Sequence, residues 1–465
     1  MSFKDDRKAL TREKRLSSLS HFNGTLEALI DEVSGADIKQ KIRTFSQIHS
    51  DEIIYAFDVL SKIEDASIVV NGAAGCASIG LSGSDPEFGW YGTELVERDT
   101  ILGGDQKLRE AVLRAYEEKH PKAVFIIGTP VVAINNDDIN SVILELEDEL
   151  DIPIISIYTD GFKTKNPVSG YDIVTHSILK YLVDSNADEK EDFINVVSFS
   201  ESIEDIAAVV KILNALDIEY RVIPRFSVID EIRSISRAKA TIVLNPEEGE
   251  YLAKELEEVY KVPYIVSEPP IGYRGTKKFI RKIADFLNIT NKADRYIEEA
   301  EGELSKSIKK DLLKGQKIFI DASLSKIPAY SRLIDNLGGE IIGIGAPFVD
   351  LENRKNLMKL DFISRGTNVV IGNGQYFEKA NTIAKQKADI YVSQYPGSSF
   401  AIDEGACVVS VGGRTTYGFD GVRSIYNAFV QVFRSKAKLG SGENSIYKNN
   451  WKSKSGNWYV KQEVS

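Results

Sequence analysis

The chain has 465 residues, enough for about three domains at roughly 150 residues each, and its 43% hydrophobic and 27% charged residues are ordinary globular usage. With 58 Lys and Arg against 69 Asp and Glu it carries a net charge of −11, which argues against a dedicated nucleic-acid binder and its basic excess. Two cysteines, Cys76 and Cys407, and four scattered histidines offer neither a disulfide framework nor a zinc spacing.

Met1–Leu10 has no apolar run after its charges, so no secretory signal is expected. No stretch nears the roughly 18 consecutive apolar residues of a membrane span, and the expected setting is cytoplasmic. Residues 1–50 read as an amphipathic helical segment. From there the chain repeatedly sets a short apolar run before a helical pattern. Strands are expected at Ala66–Asn71, Ala123–Ile127 and Ile152–Tyr158, with helices over Asp105–Glu118 and Asp137–Leu150. A second series follows: strands Ile194–Phe199, Glu219–Ile223, Ala240–Leu244 and Pro263–Val266, with helices Ile203–Leu216 and Glu248–Val259. A helix is expected from Lys292 to Leu313. The third series has strands Gln316–Asp321, Glu340–Ile344, Thr367–Ile371, Asp389–Ser393 and Cys407–Val411. Strands alternating with helices of this length predict an α/β chain of three doubly wound parallel sheets. The expected units are 51–190, 191–313 and 314–438, followed by a polar tail, 439–465, in which Trp451 and Trp458 are candidate docking points.

Open parallel sheets bind ligands beyond the carboxyl ends of their strands, so the loops there are the places to search. Asn71–Gly80 (NGAAGCASIG) follows a strand; Gly72 and Gly75 permit a tight turn and close approach to a ligand, and Cys76 ends the turn. Two readings stand: a small thiol packed in a turn, or a thiol whose pKa a helix start lowers. The loop fits neither GxGxxG nor a P-loop. In Gly128–Asp138 (GTPVVAINNDD), Thr129, Asn135 and Asn136 can serve orphan helix N–H groups, and Asp137 and Asp138 suit the positive end of a helix. Gly412–Gly421 (GGRTTYGFDG) offers Arg414 as an anion holder, or a turn with Tyr417 packed beneath. Cys407 opens an apolar strand and reads as a strand residue.

Taken together, several segments resemble the nitrogenase component 1 family, which includes the catalytic subunits, the related cofactor-assembly scaffold and the dark-operative protochlorophyllide reductase. NGAAGCASIG is similar to the family's glycine–cysteine loop, and TELVERDTILGGDQKLREAV (Thr93–Val112) to its FGG segment. GTPVVAINNDDI (Gly128–Ile139) resembles its GDDI loop. IGYRGTKKFIRKIADFL (Ile271–Leu287) and TTYGFDGVRSIYNAF (Thr415–Phe429) resemble segments near its cofactor region.

The resemblance implies three Rossmann-like domains, as in nitrogenase component 1 subunits. It also implies pairing with a paralogous subunit and an iron–sulfur cluster, four-iron or larger, shared at that interface. An ATP-dependent iron protein would reduce the cluster, and a further metallocluster would be held with or by the partner. By position Cys76 matches an interface-cluster cysteine, flanked by Gly72 and Gly75. Thr129 stands near a second such cysteine, and His21 near a third. The family's cofactor cysteine falls near Leu244–Asn245 and its cofactor histidine at Tyr417, neither of which supplies the missing ligand. The expectation is therefore a subunit of a nitrogenase-like reductase complex that does not itself reduce dinitrogen. A cluster-assembly scaffold and a cluster-free structural partner are the alternatives. Gly128–Asp138, Ile271–Lys278 and Arg414–Tyr417 are expected to line a cavity between the domains for a substrate or cofactor, with Arg274 and Arg414 as anion holders if the substrate is anionic.

Overall fold

The computed structural model describes residues 10–38, 52–78, 90–161, 166, 168–185 and 190–439. The tail tryptophans Trp451 and Trp458 lie outside them. Near the N-terminus a helix, Leu10–Leu16, precedes two short strands, Ser18–Leu19 (β1) and Phe22–Thr25 (β2), and a second helix, Leu26–Glu32. The expected helical segment is thus interrupted. Phe22 is buried, and β2 runs antiparallel along the edge of a sheet built more than 300 residues later. Such pairing overrides the local pattern.

The first sheet comprises Ala66–Asn71 (β3), Trp90–Gly92 (β4), Ala123–Gly128 (β5) and Ile154–Tyr158 (β6), all parallel in the order β4-β3-β5-β6. Its inner strands are covered on both faces. Ile68 and Val70 pack with Ile53 and Phe57 on one side, while Val69 packs with Leu108 and Val112 on the other. That double cover explains why these strands read as continuous apolar runs.

A second parallel sheet takes Ile194–Ser198 (β7), Tyr220–Pro224 (β8) and Ala240–Val243 (β9) in the order β8-β7-β9. The strand expected at Pro263–Val266 is reduced to one bridge, Thr241–Tyr264. Two backbone bonds with Thr241 form there before the run gives way to Pro269 and Pro270, which cannot donate to a ladder. The helix expected to reach Leu313 is Thr290–Ser305. At its end Ser305, and just beyond it Ser307, donate side-chain bonds to the carbonyls of Gly302 and Leu304, competing with helix continuation.

The third sheet comprises Lys317–Asp321 (β10), Glu340–Ala346 (β11), Asn368–Ile371 (β13), Ile390–Ser393 (β14) and Cys407–Ser410 (β15), parallel except for the added β2. Its order is β15-β14-β10-β11-β13-β2. A short strand, Val349–Asp350 (β12), pairs with β1 instead. The last described helix, Gly418–Leu439, packs on the helices Ile203–Ala215 and Gly272–Leu287, tying the third series to the second. Among the described residues no helix is long and apolar enough to cross a membrane.

Candidate functional site

A cavity of about 900 Å³ lies where loops from all three series converge. Ser200 follows β7, Ser323 follows β10, Pro347 and Phe348 follow β11, Gly372–Gly374 follow β13, and Gln394–Pro396 follow β14. Tyr55, Val168 and Tyr171 close it from the first series. This is the carboxyl-end location expected for parallel sheets.

Glu247 and Glu248 reach the cavity from the first turn of the helix Pro246–Tyr260. That helix starts where its sequence says it should. Asn245 caps it by accepting from Glu247 N–H at 3.2 Å, Pro246 fills the first turn, and the two glutamates suit the positive end. The loop after β10 docks on the same end: Ser325 N–H donates to Glu247 Oε2 (3.0 Å) and Ser325 Oγ to Asn245 Oδ1 (2.6 Å). Glu248 accepts from both Ser200 N–H and Ser200 Oγ. Burial pushes the Glu247 pKa up to about 8, against the Ser325 bond. Burial and the neighbouring Glu201 charge push that of Glu248 up to about 7, against Lys326.

Behind this wall a buried network fills the interior. Lys326 Nζ lies 3.5 Å from Glu201 Oε1 and over the Tyr417 ring. Ser198 Oγ donates to Glu201 Oε2, and Tyr417 Oη donates to the Leu244 carbonyl at 3.2 Å. Burial opposes the Lys326 charge, yet Glu201 beside it holds the ammonium above its ordinary pKa.

The residues singled out by sequence divide into two groups. Gly72 and Thr129 meet: a Cβ at Gly72 would lie 2.4 Å from Thr129 Oγ1, so only glycine fits. Thr129 is fully buried and its hydroxyl has no partner among the described residues. Cys76 sits half-buried on the short helix Ala74–Ala77 that follows, with Gly75 exposed beside it. Tyr417 is buried, as a packing reading requires. Asp138 caps the helix Ile139–Glu147 through Ser141. Of the remainder, Arg274 is exposed and lines a separate pocket of about 140 Å³ with Glu268, Lys278 and Arg332. Arg414 donates to the Ser410 carbonyl. His21 faces Glu378 at 3.5 Å, and Cys407 is half-buried in the outermost strand of the third sheet. Of the segments expected to line the large cavity, Gly128–Asp138, Ile271–Lys278 and Arg414–Tyr417, none contributes a lining residue. The lining residues that sequence reasoning passed over include Glu247, Glu248, Lys379 and Gln394. The one available signal was the polar turn Asn245–Glu248 directly after an apolar strand.

A model of the nitrogenase component 1 type oxidoreductases matches residues 52–434. The chain belongs to that family. It is 30% identical over 351 residues to the nitrogenase iron-molybdenum cofactor biosynthesis protein NifE of Clostridium pasteurianum, covering 72% of this chain and 75% of that one. It is 26% identical to the NifE of Methanococcus maripaludis, covering 72% of each. With the nitrogenase molybdenum-iron protein alpha chain of Methanosarcina barkeri it shares 28% over 321 residues, 64% of this chain and 60% of that one. A solved nitrogenase structure, Cp1 at pH 6.5, superposes with a TM-score of 0.75 at 19% identity, covering 88% of this chain and 98% of that one. That likeness concerns the fold, an α/β architecture of parallel sheets.

Within this family frame the residues present can be tested against two groups. For a shared iron–sulfur cluster the chain offers one thiol, Cys76, beside Gly75, where a side chain would meet no heavy atom within 4 Å. Among the described residues no group of three or more His, Cys, Asp and Glu side chains could hold a metal. Among the described residues, Cys76 is a thiol that would suit one ligand position of a four-iron cluster. A second, interior cofactor does not fit. The positions where its ligands would fall, Leu244–Asn245 and Tyr417, do come together, but Tyr417 bonds the Leu244 carbonyl and the Lys326–Glu201 pair occupies the space around the ring. Neither residue offers a thiolate or imidazole.

Proposed function

We propose that this chain is one subunit of a nitrogenase-like reductase complex acting on an organic substrate held in the 900 Å³ cavity. The observation that carries the reading is the lining itself. Among the described lining residues there are carboxyls, hydroxyls, amides and an ammonium, and neither cysteine nor histidine. Cys76 would give one thiolate to an iron–sulfur cluster completed by a paralogous partner, and an ATP-dependent iron protein would supply the electrons. When bound, the cluster supplies one-electron transfer at low potential. The remaining work falls to this chain's own side chains. A two-electron reduction takes up two protons, and Glu247 and Glu248 are carboxyls held near neutrality in pKa, suited to give a proton at Oε and recover it from water. Tyr55, Tyr171 and Phe348 give the cavity apolar walls that orient a substrate and exclude water.

A second reading, an assembly scaffold that carries a metal cluster for another protein, is favoured by the identity to two NifE proteins. Anaerobic co-expression with a paralogous subunit, followed by iron quantification and EPR, tests the cluster. The complex should contain iron, and Cys76→Ala should remove it together with the visible absorbance. Unchanged iron in that variant refutes Cys76 as a ligand, and an iron-free wild-type complex leaves only a structural partner. Release of iron to an apo-acceptor protein without substrate turnover would select the scaffold.

A further inference from the structure

The third sheet contains a topological switch point that opens into the cavity. From β10 the chain runs outward through β11 to β13, then crosses back to β14 on the other side of β10. The loops after β10 and β14 therefore leave in opposite directions, and a crevice forms between them. Such crevices are where open α/β sheets bind ligands. Ser323 stands on one lip and Gln394 on the other.

Two donor groups line this end of the cavity. Lys379, on the helix Tyr376–Gln386, is buried and places Nζ 2.7 Å from Asp321 Oδ2 at the end of β10. Tyr391 Oη donates to the same oxygen, so Asp321 is anchored and in turn fixes the ammonium. An ammonium has three donors, and Asp321 is the one hydrogen-bond acceptor Lys379 has among the described residues, which leaves two. Gln394 is oriented in the same way. Its Oε1 accepts from Ser323 N–H at 3.2 Å, which fixes the amide flip and leaves both Nε2 donors without a protein acceptor among the described residues.

We propose that the cavity takes an organic acid, and that Lys379 and Gln394 hold its carboxylate at the switch point of the third sheet. The inference deepens the reductase reading and rests on it for the chemistry done to the bound acid. Two pre-oriented donor groups suit a planar two-oxygen group, and one of them makes a charge-assisted bond. The acidic groups around the cavity do not oppose an anion. Asp321 is already paired with Lys379, and of the two other lining carboxyls burial keeps Glu247 mostly protonated at neutral pH and Glu248 protonated below about pH 7.

The test is calorimetric titration of the full chain with succinate, with succinamide as the uncharged control. Succinate should bind and succinamide should bind far more weakly. Lys379→Met combined with Asp321→Asn removes the ammonium without stranding a buried carboxylate, and Gln394→Glu keeps the acceptor for Ser323 while replacing the donors. Each should weaken succinate about ten- to a hundredfold, the worth of one charge-assisted hydrogen bond. Circular dichroism checks folding, and the half-buried Gln394 variant stands if the double variant misfolds. Undiminished binding in the folded variants, equal binding of succinamide, or no binding of succinate to the wild type would each overturn the proposal. The titration needs neither partner nor iron. Its failure leaves the Cys76 reading standing, and an iron-free complex leaves the carboxylate site standing.

Discussion

Arg15 gives the sharpest stability prediction. Its side chain is 1% exposed, with Nε 2.8 Å from Asp172 Oδ2 and Nη1 4.0 Å from Asp350 Oδ2, and Nη1 donates to the Glu247 carbonyl. It therefore links the N-terminal helix to all three series around the cavity. At 2.8 Å the gross attraction to Asp172 is about 6 kcal/mol at an effective dielectric near 20. Desolvation of the guanidinium offsets much of that, and removing one partner of such a buried pair costs about 3–5 kcal/mol net. Burial holds the Asp172 pKa up at about 7 and that of Asp350 at about 6, with Arg15 pulling both down. A carboxyl raised in the folded state contributes stability that is full below its unfolded pKa and lost as pH rises through the folded value. Without Arg15 both values climb further, so Arg15→Met should be most damaging where both carboxylates are ionised. Urea unfolding followed by circular dichroism should show a loss of about 3–5 kcal/mol at about pH 8, shrinking to about 1–2 kcal/mol at about pH 5. A loss below about 1 kcal/mol, or one that does not change with pH, would refute the argument that this guanidinium neutralises two buried acids.

Two further perturbations follow from the cavity wall and the cysteine loop. Glu247 and Glu248 stand at about 8 and about 7 against an ordinary 4.5, so their contribution is present in acid and lost as pH rises through 7 to 8. The wild-type urea midpoint should accordingly fall between about pH 5 and pH 8, and Glu247→Gln should flatten that slope. A midpoint that rises over the same range would contradict both shifts. Gly72→Ala would drive a methyl to within 2.4 Å of Thr129 Oγ1 and 2.5 Å of Thr129 Cγ2, overpacking a fully buried contact. The expected cost is about 1–3 kcal/mol in thermal or urea unfolding, partly restored by Thr129→Ala in the same chain. A neutral Gly72→Ala would mean that the loop relaxes freely.

What could be read in the sequence was what is local. Apolar runs such as ASIVVN and AVFII carry their own signature because both faces of those strands are covered, while the glycine at position 72 gives room to the Thr129 side chain. The strand Phe22–Thr25 left no such mark, since what makes it a strand is its pairing with Asn368–Ile371. The cavity failed to show for the same reason. Lys379 acquires its role only by meeting Asp321, 58 positions away, and Arg15 by meeting the Glu247 carbonyl, 232 positions away. Family position did not point to this cavity: none of the three segments it suggested lines it, the exposed Arg274 lines a different pocket and Arg414 donates to the carbonyl of Ser410 on its own loop.

Three buried cations surround the place where the series meet: Arg15 against Asp172 and Asp350, Lys326 against Glu201, and Lys379 against Asp321. Well-packed apolar residues would commonly be as stable there as ion pairs, so stability is a poor reason for their presence. Their common effect is instead on polarity. A cavity built to clasp a metal cluster needs soft ligands, thiolate or imidazole, in an otherwise apolar surround. Here Tyr417 donates to the Leu244 carbonyl, and the nearby cavity is framed by fixed charges and hydrogen-bonding oxygens. Fixed charges and hydrogen-bonding oxygens of this kind suit a small polar molecule, which is the ground on which an organic substrate is proposed.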